Sequence, residues 1–137
     1  MTPKQYLQQA YLLDEKINSR LRELSRLREL SERVSALSYT SDKVQASRKK
    51  GSQVESIVIR IIELERTIND EIEQLLNLKE EIRTAINNVE DEREKLILRM
   101  RYLEYLSWET IADRLAYTKQ RVHQLHGIAL QRINPPI

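Results

Sequence analysis

The chain has 137 residues, no cysteine or phenylalanine, two glycines and three prolines, and 32% of its residues are charged for a net charge of +2. That composition favours long helices over a thick globular core, and it excludes a disulfide framework and thiolate metal sites. No apolar run is long enough to cross a membrane or to act as a secretory signal, so the sequence points to the cytoplasm.

Pro3 suits a first helical turn. Apolar residues then recur at Leu7, Ala10, Leu13, Ile17, Leu21, Leu24, Leu27, Leu30, Val34 and Leu37. Steps of three and four predict one amphipathic helix over about 3–37, roughly 50 Å long at about 1.5 Å per residue. The segment 38–52 is polar, lacks periodicity and carries Gly51, so it reads as a loop.

A near-heptad pattern follows, with Val54, Ile57, Ile61, Leu64, Ile68, Ile72, Leu75, Ile82, Ile86 and Val89. It predicts a second helix over about 53–89. Neither helix can bury its stripe alone, so the pair is expected to form a coiled-coil-like hairpin over residues 1–89. Leu76 and Leu78 beside Leu75 leave apolar surface over, which points to a homodimer through these helices. The clusters at Glu71–Glu73 and Glu80–Glu81 read as solvated faces.

The polar step Asn87–Asn88 marks a hinge into a second domain, 90–137, where Leu96, Ile97, Met100 and Leu103 give one covering helix. Ser107 is a good N-cap before Trp108, with Ile111, Ala112 and Leu115 at helical spacing behind it. After a break at Ala116–Tyr117, Thr118 caps another helix that turns Val122, Leu125 and Ala129 inward. This is a helix-turn-helix pattern. Thr118, Lys119, Gln120, Arg121, His123 and Gln124 are then left on the outer face, with side chains suited to base edges and phosphates of double-stranded DNA.

The charge distribution agrees. Acids crowd the stretch from Val89 to Asp113, whereas Arg114, Lys119, Arg121 and Arg132 follow with no acid at all. Arg114 is therefore a candidate phosphate contact, and so are Arg48, Lys49 and Lys50, although a solvated loop explains those three more simply. Trp108 reads as a packing residue, and His126 as a partner for Tyr102 or Tyr117. The His123–His126 pair lacks a third ligand, so no metal is assigned. Gly127 inside a helix costs about 1 kcal/mol relative to Ala, which implies a close approach there.

The stretch LRMRYLEYLSWETIADRLAYTKQRVHQLHGIALQRI resembles region four of sigma-70-type factors, which docks on the upstream promoter element. The resemblance implies DNA contacts at Lys119, Gln120, His123 and Gln124, with Arg121 alongside, and it raises RNA polymerase as a further partner. The whole chain is also similar to a family of small phage- and prophage-encoded proteins of Gram-positive bacteria, through the opening MTPKQYLQQAYLLDEKINSRL and the closing SWETIA…RVHQLHGIAL. That likeness implies transcriptional regulation in the cytoplasm of a host bacterial cell.

Two departures from the sigma pattern stand out. Gln120 replaces an acid, which exchanges a cytosine acceptor for a side chain able to pair bidentately with adenine. Ala116 stands where the turn normally holds Gly, and a left-handed conformation there costs about 1 kcal/mol. The segment before Glu90 holds Tyr6, Tyr11 and Tyr39 as its only aromatics, too few for a promoter-melting element. The expectation is thus an all-α DNA-binding regulator rather than a free-standing sigma factor. A dimer would read half-sites about 34 Å or a multiple apart. Two other readings stay open: a polymerase- or sigma-docking protein, and a small-terminase-like packaging protein. No catalytic set or cofactor loop emerges, so the chain is read as a non-enzyme without a cofactor.

Overall fold

The computed structural model describes residues 1–39 and 44–136, with side chains described outside 38–50. It consists of α1 (Pro3–Tyr39), α2 (Val44–Asn87), α3 (Glu92–Tyr102), α4 (Trp108–Leu115) and α5 (Lys119–Gln131), and no strand occurs among the described residues. The all-α class with long N-terminal helices and a terminal helix-turn-helix is as expected.

α1 opens with a reciprocal cap. The Gln5 backbone N–H donates to Thr2 Oγ1 at 3.1 Å, and the Thr2 N–H donates to Gln5 Oε1 at 3.0 Å. α2 begins at Val44, so the expected loop over 38–52 is corrected. The run Val44–Lys50 has no proline and is rich in good helix formers, and a single Gly51 weakens a helix without ending it. Residues 40–43 lie outside the described residues, as do the side chains of Arg48, Lys49 and Lys50.

The chain divides into two compact units, Glu15–Glu73 and Met1–Asp14 with Gln74–Ile137. In the first, the two helices run antiparallel, since Arg20 pairs with Glu71 while Arg28 meets Glu65 at 2.6 Å. Beside these pairs Leu24, Leu64 and Ile68 form a buried cluster, with Leu27 and Ile61 packed against it. Glu71 is buried rather than solvated, which corrects the surface reading of that acid; the Arg20 guanidinium provides its counter-charge. Only part of each apolar stripe is covered, and Leu21, Leu30 and Ile72 stay exposed.

In the second unit Tyr6, Leu7 and Ala10 of α1 are buried, together with Leu75, Ile82, Ile86 and Val89. A division at residue 89 does not coincide with these compact units, because a heptad stripe records that a face is covered but not by what. α3 packs against α4 and α5, and α4 against α5. Asp91 caps α3 by accepting from the Arg93 and Glu94 N–H groups, and Arg93 holds its carboxyl below the usual carboxylate range. The face that α3 buries is Glu94, Ile97, Leu98 and Tyr102, whereas Leu96 is 39% exposed. The helix is thus rotated from the expected Leu96–Leu103 stripe, and burial of Glu94 is tied to Arg132 at 3.4 Å.

Tyr105, just after α3, has φ 59°. Its ring lies edge-on to Tyr11 at 5.4 Å and under the Lys79 ammonium at 5.4 Å. Contacts of this kind can hold a non-glycine residue in the left-handed region.

Candidate nucleic-acid interface

The helix-turn-helix rests on a small apolar cluster. Ile97, Ile111, Ala112, Val122 and Leu125 form its buried centre, with Met100, Leu106, Trp108, Leu115 and Tyr117 packed around it. Ser107 caps α4, its hydroxyl accepting from the Thr110 N–H at 3.2 Å. Thr118 caps α5 in the same way, accepting from the Arg121 N–H at 3.1 Å. Two N-capped helices thus meet the turn as the sequence implied.

The turn itself is left-handed. Ala116 has φ 56° and ψ 38°, and the Tyr117 N–H reaches back to the Ala112 carbonyl at 3.0 Å. That bond closes a Schellman-type end to α4 and swings the chain directly into α5. Ala116→Gly is expected to stabilise the protein by about 1 kcal/mol, because a Cβ is disfavoured in this conformation. A melting temperature that stays the same or falls would count against strain at this turn.

Within α5, Val122, Leu125, His126 and Ala129 are buried. Thr118, Lys119, Gln120, Arg121, His123 and Gln124 are all exposed, and so is Arg114 at the end of α4. The structure therefore brings these expected contact residues together on the surface of one short helix and its cap. Arg114 and Arg121 have no ion-pair partner among the described residues, so their charge is available to a polyanion.

The other two cations behave differently. Lys119 Nζ sits 2.8 Å from Glu109 Oε1, and this ammonium holds the Glu109 carboxyl below its usual range. Arg132 is bound to the buried Glu94. The stretch after Arg114 is free of acid in sequence but not in space, because α3 and α4 return carboxylates to it. Glu109 was missed by sequence reasoning. The available signal was its place two residues after one N-cap, while Lys119 follows the next N-cap directly.

Behind the exposed face lies an aromatic brace. The Arg101 guanidinium stacks over Trp108 at 4.4 Å and donates to the Leu106 carbonyl at 2.9 Å. Trp108 touches the rings of His123 at 4.8 Å and His126 at 4.6 Å. His126 is buried, with Nε2 at 2.7 Å from the Tyr102 hydroxyl. Burial pushes its pKa down to about 4, helped by Lys4, His123 and Arg101, and burial raises Tyr102 to about 12. Of the two candidate partners for His126, Tyr102 is the one it meets. Gly127 is exposed and an added Cβ would meet nothing within 4 Å, so no neighbour among the described residues requires a glycine there.

A comparison with known protein families matches residues 91–134 to Sigma-70, region 4. The chain is 39% identical over 61 residues to the RNA polymerase sigma factor sigA of Arabidopsis thaliana, a match covering 42% of this chain and 12% of that protein. The chain thus spans only about an eighth of that relative's length. No solved structure matches. The C-terminal segment carries a sigma-70 region 4 domain of the helix-turn-helix type.

Proposed function

We propose, from a region 4 domain at residues 91–134, that the chain is a sequence-specific DNA-binding transcriptional regulator that reads promoter DNA through α5. The observation that carries this reading is the division of α5. Its apolar residues are buried against α3 and α4, while Lys119, Gln120, Arg121, His123 and Gln124 stand exposed on its first turns. Such a helix offers hydrogen-bonding side chains to the major groove from a rigid support. Gln120 and Gln124 suit adenine edges, and Arg121 and Arg114 suit guanine edges or phosphate. The role is binding without catalysis.

The likeness of the opening and closing segments to phage-encoded regulators supports a phage or prophage type acting in the cytoplasm of a host bacterial cell. The exposed Leu21, Leu30, Val58, Ile59, Ile62 and Ile72 support a homodimer through the long helices, and the region 4 domain supports contact with RNA polymerase. No described helix is long and apolar enough to cross a membrane.

Selection of bound duplexes from a random library tests the reading, with the wild type set beside an Arg121→Ala, Gln124→Ala double variant. One enriched motif, lost in the double variant, is expected. Arg121→Ala alone should weaken binding about tenfold, with the salt slope falling by about one where the residue meets phosphate. If the wild type enriches no motif, α5 is not a DNA reader and polymerase docking takes its place.

A further inference from the structure

The pairing of Lys119 with Glu109 has a consequence for selectivity. Lys119 is the first residue of α5, at the positive end of a helix and beside the side chains assigned to base edges. Its ammonium is nonetheless engaged at 2.8 Å by a carboxylate from the first turn of α4. Both side chains are open to solvent, at 57% and 74% exposure, so neither is buried for the sake of the core. An approaching phosphate must compete with Glu109 for Lys119, and once the lysine moves away it faces an uncompensated negative charge.

We infer that Glu109 is a specificity-determining residue that holds Lys119 and opposes binding to the DNA backbone. This rests on the DNA-binding reading above. Non-specific affinity comes almost wholly from phosphate neutralisation, whereas base contacts add only at the correct sequence. A carboxylate beside the leading cation weakens the first kind of binding, and a tight base-edge fit by Gln120 and Gln124 offsets the loss only on the cognate duplex. Like-charge juxtaposition of this kind is a known route to discrimination.

The test measures binding of full-length protein to the selected duplex and to an unrelated one, from 50 to 200 mM salt. Glu109→Gln should bind the unrelated duplex at least about threefold more tightly at low salt, with a slope steeper by about 0.9, the value for one more phosphate contact. That gain should shrink about threefold over a fourfold rise in salt. The selected duplex should gain less, so the ratio of specific to non-specific affinity falls. Lys119→Gln should abolish the gain in the Glu109→Gln background, because the released ammonium is the group that meets the added phosphate. An unchanged ratio and slope in Glu109→Gln would overturn the inference, as would weaker binding to the selected duplex, which would make Glu109 a direct base contact. If the wild type binds neither duplex selectively, the DNA reading itself fails and the inference falls with it.

Discussion

Arg20→Ala is expected to destabilise the helical pair of Glu15–Glu73 by about 3 kcal/mol. The Glu71 side chain is only 8% exposed, and the Arg20 guanidinium is the cation paired with it. Truncating Arg20 leaves a carboxylate in an apolar seam with neither water nor a counter-charge, and that uncompensated burial dominates the loss. The surface pair formed by Arg28 and Glu65, with side chains 57% and 42% exposed, should matter far less. Arg28→Ala is therefore the control, at about 0.5 kcal/mol. Replacing both Arg20 and Glu71 with leucine should recover most of the loss, because it removes the charge with its partner. Denaturant unfolding of the three variants decides the matter. Equal losses from Arg20→Ala and Arg28→Ala would show that Glu71 is well solvated after all.

Acid should weaken the helix-turn-helix through His126. Its folded pKa is near 4, against an ordinary value of 6.5, because the ring is buried and faces Lys4, His123 and Arg101. A group whose folded pKa is depressed binds fewer protons in the native state. For this base, the stability is full above about pH 6.5 and is lost progressively as pH falls toward 4. The full shift corresponds to about 3 kcal/mol, and partial screening by nearby solvent reduces this to about 2 kcal/mol. Protonation also places a cation against Trp108 and beside the Tyr102 hydroxyl, at the support of α5.

In His126→Gln the titrating group is gone while a polar partner for Tyr102 remains. The variant should be less stable than the wild type at pH 7, and the gap should narrow between pH 6.5 and 4.5. Carboxylates titrate in both proteins, so the difference between the curves isolates the histidine. Parallel curves through that window would remove His126 as the origin of acid sensitivity.

Much of this protein is written in local pattern. Ser107 and Thr118 act within their own turns, so the helix starts of α4 and α5 follow from residue type and position alone. The inward set Ile111, Ala112, Val122, Leu125 and Ala129 follows from helical period, and the outward set Lys119, Gln120, Arg121, His123 and Gln124 is its complement. The strained turn was legible as well, because Ala116 stands where a left-handed residue is needed and indeed has φ 56°. The start of α2 was less so, since one glycine in a polar run is a weak breaker whose effect depends on the helix formers around it.

Only the tertiary structure decided which faces and charges meet. The period of α1 and α2 says that stripes are covered, yet it cannot say that Tyr6, Leu7 and Ala10 belong with the C-terminal unit while Leu24 belongs with Leu64 and Ile68. Charge is non-local for the same reason. Arg20 with Glu71 and Arg132 with Glu94 join residues far apart in sequence, and Lys119 with Glu109 joins two successive helices, so a run that is purely basic in one dimension acquires acids in three. The Coulomb energy of such pairs depends on distance through space and on local dielectric. Sequence fixes neither quantity until the helices have packed.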